Sequence, residues 1–115
     1  GQVAQAVQEM GLLKGSGLSI KNANKSKAGD IDVLTDSYII EVKKSLGAFE
    51  EEQLDKLTNP NHPKYFNFDD KGIIYYIEDM TIKNPHNLEA LKMLQNAENV
   101  TVVHTLDELK GVISQ

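Results

Sequence analysis

Acidic residues and a lysine alternate with apolar residues in two neighbouring segments, and their spacing suits chemistry with a metal ion. The first segment covers residues 28–34, the second covers residues 38–43, and Asp36-Ser37 lies between them. Alternation of this kind is typical of half-buried strands. If Asp36 and Ser37 form a two-residue hairpin turn, residues whose numbers sum to 73 lie opposite each other.

In that register Asp32 lies opposite Glu41, and Asp30 lies opposite Lys43. Like charges directly opposite destabilise a hairpin by roughly 0.2–1 kcal/mol, whereas a shared divalent cation would turn the repulsion into coordination. Mg²⁺ prefers carboxylate oxygens and retains several waters, and Lys43 would orient or deprotonate such a water. Asp30 is either a further metal ligand or the ion-pair partner of Lys43, which we favour. The arrangement indicates a metal-dependent phosphodiester hydrolase; the competing interpretation is an exposed hairpin face with an incidental salt bridge.

The remaining sequence predicts the elements that hold this hairpin. Apolar periodicity and breaking residues predict helices over 2–13, 46–57, 85–97 and 106–113, and strands over 18–21, 72–77 and 100–103, with a loop over 22–29. Asn84 and Thr105 are the expected N-caps of the last two helices, and Glu108 is expected to complete a capping box. The order αβββαβ followed by αβα predicts an α/β fold, with a mixed sheet flanked by helices in one domain over residues 1–115.

The amino-acid composition limits the kinds of partner that this protein could bind. The net charge of −5 opposes broad attraction to nucleic acid, but six of the lysines lie within residues 1–44, against five acids. All twelve basic residues are lysine, so bidentate guanidinium contacts to bases or phosphates are excluded. There is no cysteine, and no apolar run is long enough to be a membrane segment.

The stretches 29–32 (Gly-Asp-Ile-Asp) and 40–43 (Ile-Glu-Val-Lys) resemble the PD-(D/E)XK nuclease superfamily. The resemblance implies a restriction-endonuclease-like αβββαβ core, with Asp32 as the first acid and Glu41-Val42-Lys43 as the Glu-x-Lys element. It implies that Asp32, Glu41 and the carbonyl oxygen of Val42 hold Mg²⁺ or Mn²⁺, with Zn²⁺ less favoured. Ile31 stands where the family name has proline.

The resemblance also implies two auxiliary positions. Many members carry a glutamate from the first helix as a further metal ligand, and we assign that role to Glu9, with Gln2 as the alternative if the helix turns differently. Several members carry a glutamine on the helix after the Glu-x-Lys element, and Gln53 is the candidate. Glu9 is equally well explained as a solvent-facing helix residue.

Residues outside the motif receive weaker interpretations. Lys21, Lys25 and Lys27 flank the predicted loop and are candidate phosphate contacts, although a solvated lysine loop is the commoner case. The three histidines, His62, His86 and His104, lack a zinc-site spacing. Tyr75 and Tyr76 are expected in the core and its flank, and not as a base-stacking platform.

The same resemblance extends to the nuclease toxin domains of bacterial contact-dependent inhibition and polymorphic toxin systems. Such toxins are C-terminal fragments of larger proteins, which would explain a chain that begins with Gly1. The resemblance then implies a tRNA or DNA substrate, a cognate immunity protein, and secreted or cell-surface delivery into the cytoplasm of a target cell. The alternatives are a resolvase-type or repair DNA nuclease, and a catalytically inactive binding module with a nuclease fold.

Overall fold

The computed structural model describes residues 1–21 and 25–115, and its elements follow the order predicted from the sequence. The helices are α1 (Gln2–Glu9), α2 (Glu51–Thr58), α3 (Pro85–Asn96) and α4 (Leu106–Ile113), and a short 3₁₀ turn covers Leu46–Ala48. The strands are β1 (Gly15–Lys21), β2 (Lys27–Leu34), β3 (Tyr38–Ser45), β4 (Gly72–Asp79) and β5 (Val100–Val103). Within the described residues, no helix has the length and apolar character needed to cross a bilayer.

The five strands form one mixed sheet in the order β1-β2-β3-β4-β5. The β1–β2 and β2–β3 pairs are antiparallel, whereas β3–β4 and β4–β5 are parallel. The parallel pairs follow from the connections, because α2 and α3 carry the chain back to the starting edge before the next strand begins. The predicted α/β fold with a mixed sheet and flanking helices is therefore confirmed.

Helices cover both faces of the sheet. On the α2/α3 face, apolar residues of the strands pack against α2, α3 and the loop that follows α2, including Ile39, Leu57, Phe66, Ile73 and Leu94. On the α1/α4 face, a second cluster includes Val7, Ile40, Ile74, Leu109 and Ile113. Because β4 is covered on both faces, all of residues 73–77 are buried, as a continuous apolar run predicts.

Three predicted boundaries were wrong, each for a local reason. Helix α1 ends at Glu9 and not at residue 13, because Gly11 adopts a left-handed conformation (φ 75°) that stops a helix. The strand predicted over 18–21 begins three residues earlier, at Gly15, as the edge strand β1. The second helix is interrupted between its 3₁₀ turn and α2, because Phe49 and Glu50 are extended and Phe49 enters the core.

The predicted loop was wrong in part, whereas the predicted caps are confirmed. The loop predicted over 22–29 gives way to β2 at Lys27, and residues 22–24 lie outside the described residues. Asn84 and Thr105 cap α3 and α4 as predicted, with the Thr105 hydroxyl accepting from the Glu108 amide at 3.1 Å. Hydrogen bonds from the backbone of His104 (3.1 Å) and from the hydroxyl and backbone of Thr105 lower the pKa of Glu108, so the predicted capping box forms and extends to His104.

The burial of β4 predicts how two isoleucine substitutions change the free energy of unfolding. Ile74 is fully buried on β4, whereas Ile82 is 48% exposed. We expect Ile74→Ala to lower the free energy of unfolding by about 2–5 kcal/mol, because it opens a cavity in a packed core. We expect Ile82→Ala to change it by less than about 0.5 kcal/mol in the same urea titration. Equal effects of the two substitutions would contradict this placement of β4.

Candidate functional site

The hairpin register predicted from the sequence is confirmed next to its turn. The Thr35 amide donates to the Tyr38 carbonyl at 2.9 Å across Asp36-Ser37. The pairs Leu34↔Ile39 and Val33↔Ile40 follow, and both sum to 73. Asp36 and Ser37 therefore form the two-residue connection that the spacing predicts.

Beyond Val33 the ladder stops, and this stop shapes the site. In a continued ladder the Val42 amide would donate to the carbonyl of residue 31. It donates instead to Oδ2 of Asp32 at 2.8 Å. The predicted cross-strand pairs Asp32–Glu41 and Asp30–Lys43 are therefore wrong as backbone pairs, because a side chain has replaced the backbone acceptor and the strands separate.

The β2 strand changes face at this point. Val33 packs on the α1/α4 face, but Ile31, two residues away, packs on the α2/α3 face, whereas regular pleating would place both on one face. The β1 residue in register with Asp32 is Gly17, whose φ of 59° strongly favours glycine. This irregularity leaves Asp32 in the gap between β2 and β3.

Glu41 meets Asp32 at this gap. Regular alternation along β3 directs Glu41 towards the α2/α3 face, and it is only 1% exposed. Asp32 is partly buried and lies close enough to Glu41 to alter its protonation. Charge repulsion between the two carboxyl groups and hydrogen bonding between them both favour a proton on Glu41, so the groups lie close together. The structure thus brings together the two acids that the sequence paired, although by a different route.

A chain of side-chain hydrogen bonds holds one oxygen of Glu41. Gln53 on α2 donates from Nε2 to Glu41 Oε2 at 3.1 Å. The Tyr75 hydroxyl on β4 donates to Gln53 Oε1, also at 3.1 Å. The other oxygen, Glu41 Oε1, is buried and has no hydrogen-bond partner in the structure. Buried polar atoms are seldom left unpaired, so this oxygen is suited to a ligand or a proton.

The protonation of Glu41 reflects this environment. Burial raises the pKa of Glu41 to about 9, and repulsion from Asp32 and hydrogen bonding to it add to the rise. Lys43 acts in the opposite direction, since its positive charge favours the ionised carboxylate. Without a cation, Glu41 is therefore protonated at neutral pH, whereas a cation beside Asp32 would favour the ionised form.

Asp30 differs from the prediction. Its carboxylate forms an ion pair with Lys27, with Nζ and Oδ2 2.9 Å apart, and not with Lys43. The reason is the separation of β2 from β3, which removes Lys43 from the position opposite Asp30. Lys43 keeps its predicted proximity to Glu41, because residues 41 and 43 share a face of β3.

Two of the three candidate substrate lysines lie together. Lys21 and Lys27 are cross-strand partners at the far end of the β1–β2 pair. Lys25 is exposed, and its φ is 67°. Lys27 also lines a cavity of about 230 Å³ on the α2/α3 face, to which Gln53 and Lys56 contribute. This cavity adjoins the candidate site through Gln53.

The N-terminus of α1, and not its C-terminus, approaches Asp32. Gln2 lines a cleft of about 450 Å³ with Asp32, Val42 and Glu78 on the α1/α4 face. Glu9 is at the opposite end of α1, is exposed, and accepts a hydrogen bond from Gln5 at 3.4 Å. The structure thus brings Gln2, and not Glu9, to the cleft beside Asp32.

The site offers a pair of carboxylates to a cation. Among residues 1–21 and 25–115, no group of three or more His, Asp or Glu side chains is arranged to hold a metal ion. Mg²⁺ is commonly bound through one or two carboxylates and completes its shell with water. The unpaired Glu41 oxygen beside a second carboxylate fits that ion, whereas Zn²⁺ favours the sulfur and imidazole ligands that are missing here.

Comparison with known proteins gives no match: no family model, curated protein or solved structure is significantly similar to this chain.

Sequence reasoning missed three residues that border the site. Tyr75 was correctly placed in the core, but its hydrogen bond to Gln53 was not foreseen, because the sequence does not reveal that β3 and β4 are neighbours with Glu41 beside Tyr75. Lys56 and Glu78 line the two cavities. The helical spacing of Lys56 from Gln53 was the one signal available for it.

The pKa of Glu41 sets an expected pH dependence. A carboxyl whose pKa rises on folding binds its proton more tightly in the folded state, so stability is full below about pH 4.5 and declines as pH rises towards 9. Each pKa unit corresponds to about 1.4 kcal/mol. In EDTA at pH 8 we expect Glu41→Gln to be more stable than wild type, by on the order of 2 kcal/mol or more, and at pH 4.5 we expect the difference to be small.

Urea titrations at both pH values measure this difference. Glu51→Gln, which alters an exposed acid of α2, gives the baseline for removing one negative charge. If Glu41→Gln is less stable than wild type at pH 8, or if the difference does not depend on pH, Glu41 is not held in a site that opposes its ionisation.

Proposed function

We propose that this protein is a Mg²⁺- or Mn²⁺-dependent endonuclease that hydrolyses phosphodiester bonds of tRNA or DNA, with a restriction-endonuclease-like core. The observation that carries the proposal is the convergence of Glu41, with one buried and unpaired oxygen, on the carboxyl group of Asp32. The element order αβββαβ and the mixed sheet are those that the resemblance to PD-(D/E)XK nucleases implies.

The chemistry follows from the groups present. Asp32 and Glu41, with the carbonyl oxygen of Val42, would hold the ion. When bound, the ion would polarise a phosphate oxygen and acidify a coordinated water. Lys43 shares the face of Glu41 and would hold the attacking water in line by hydrogen bonding, while its charge offsets the charge that develops on phosphorus oxygens.

Substrate binding is assigned to lysines at the far end of the β1–β2 pair and around the cavity beside Gln53, and Lys25 stays a candidate. Lys21, Lys27 and Lys56 lie at the β1–β2 end and around the cavity beside Gln53. Because none is arginine, they would contact phosphates as point charges, and the protein would recognise the shape of the backbone more than base edges.

The biological role we favour is that of a toxin domain in interbacterial competition, delivered as part of a larger protein and neutralised by a cognate immunity protein. A resolvase-like or repair nuclease would use the same chemistry. Expression of the chain in bacterial cytoplasm separates the two: a toxin arrests growth, and coexpression with its immunity protein restores it. A repair nuclease leaves growth unchanged while retaining activity in vitro.

Two observations favour an inactive binding module as the second candidate. The described residues hold no third acidic ligand beside Asp32 and Glu41, and Glu41 is protonated at neutral pH without a cation. A module of this kind would keep the fold and bind its partner without a metal. A metal titration discriminates, because a cation that binds only the folded state raises stability by RT ln(1 + [L]/Kd).

Activity assays test the catalytic assignment. We expect the purified protein to cleave plasmid DNA or total tRNA in Mg²⁺ or Mn²⁺ and not in EDTA. Asp32→Ala, Glu41→Ala and Lys43→Ala should each lower the rate about a hundredfold or more, because each removes a group that acts in the transition state. Lys44→Ala is the matched control, since Lys44 is exposed and points to the opposite face of β3.

Two outcomes would contradict the proposal. One is full activity in the three site variants. The other is a wild-type protein that neither cleaves nucleic acid nor gains thermal stability with either metal, which would leave the binding module as the better account.

A further inference from the structure

Tyr75 lies directly beside Glu41 and is connected to it through one side chain. In the parallel register of β3 and β4, Glu41 is the partner of Tyr75. Tyr75 is fully buried, and its hydroxyl donates to Gln53 Oε1 at 3.1 Å. Gln53 in turn donates from Nε2 to Glu41 Oε2 at the same distance. The three groups form a directed chain that ends at the candidate metal ligand.

We propose that Tyr75 is a positioning residue, which fixes the orientation of the Gln53 amide and through it the orientation of the Glu41 carboxyl group. The inference rests on the proposed function, and it assigns to a core tyrosine a part in the site that the sequence motif does not contain.

The two ends of the Gln53 amide differ in hydrogen bonding. A glutamine side chain has a donor NH₂ and an acceptor oxygen of nearly the same shape, so packing alone does not decide which end faces Glu41. When Glu41 is ionised, as it would be with a cation bound, its oxygens only accept, so the NH₂ end of Gln53 faces Glu41 and the Tyr75 hydroxyl donates to Oε1 and holds the amide in that orientation. If the amide turned over, its oxygen would face the ionised carboxylate and the hydrogen bond to Glu41 would be lost.

The orientation of the amide determines which oxygen of Glu41 is left for a cation. With Gln53 bound to Oε2, the oxygen without a partner is Oε1. A carboxylate that is held in this way needs no reorientation when a cation binds. Mutation of the groups that orient a metal ligand commonly lowers metal affinity or activity 10- to 100-fold.

The hydroxyl of Tyr75 is separable from its ring. The ring packs edge-on against Phe49, with centroids 6.0 Å apart and planes at 61°, and belongs to the apolar cluster on the α2/α3 face. A phenylalanine would keep this packing and remove only the donor. Tyr65 supplies the matched control, because its hydroxyl donates to the Asn67 carbonyl oxygen at 2.6 Å and it lines neither the cleft beside Asp32 nor the cavity beside Gln53.

The experiment compares Tyr75→Phe with Tyr65→Phe in two titrations. The first measures the Mg²⁺ concentration that gives half-maximal cleavage, and the second measures thermal stabilisation by Mn²⁺ without substrate. We expect Tyr75→Phe to raise the half-saturating concentration of each ion about tenfold or more, and Tyr65→Phe to leave both within about twofold of wild type.

A second pair of variants keeps the test independent of folding. Gln53→Met removes the connecting amide and leaves the Tyr75 hydroxyl in place. If Tyr75 acts through Gln53, adding Tyr75→Phe to Gln53→Met produces no further loss of metal affinity. Additive losses would show that Tyr75 acts by another route and would overturn the inference.

The outcomes separate this inference from the function on which it rests. Equal metal responses in wild type, Tyr75→Phe and Tyr65→Phe would overturn the role of Tyr75 while leaving the nuclease proposal in place. A wild-type protein with no metal response in either titration would overturn both.

Discussion

A carboxyl group buried inside the sheet next to a second carboxyl group is the constraint on which the candidate site depends. Placing an ionised carboxylate in a protein interior costs several kcal/mol, and a neighbouring like charge increases that cost. Glu41 meets both conditions, and without a cation it keeps its proton at neutral pH. Selection for stability alone would favour an apolar residue at this position, and this cost is one ground for our proposal that the pair binds a cation.

The surrounding elements supply a hydrogen-bond donor to one oxygen of the Glu41 carboxyl group and leave its other oxygen without a partner. The parallel β3–β4 pair places Tyr75 beside Glu41, and α2 brings Gln53 between them. On the other side, the separation of β2 from β3 lets Asp32 cap the Val42 amide and approach the gap. At Glu41, the proposed function is therefore opposed to stability. The apolar clusters on both faces of the sheet hold the strands in place.

The sequence predicted the order of the elements, the turn at Asp36-Ser37 and the approach of Asp32 to Glu41, because these depend on local periodicity and turn chemistry. It did not predict the gap between β2 and β3, since regular pairing was extended beyond Val33, and this produced the wrong partner for Asp30. The position of Tyr75 beside Glu41 was equally hidden, because parallel pairing joins residues 34 positions apart. The early end of α1 at Glu9 depends on the left-handed conformation of Gly11. The sequence did not predict it, because glycine adopts positive and negative φ about equally readily.

The most direct test is to locate the ion itself. Crystals of the protein soaked in MnCl₂ at pH 8 would be measured near the manganese absorption edge, with Asp32→Asn crystals treated in the same way. We expect one anomalous peak about 2.0–2.3 Å from carboxylate oxygens of both Asp32 and Glu41 in wild type, and its loss in the variant. A fully occupied Mn²⁺ elsewhere, with Glu41 still bound only to Gln53, would contradict the account.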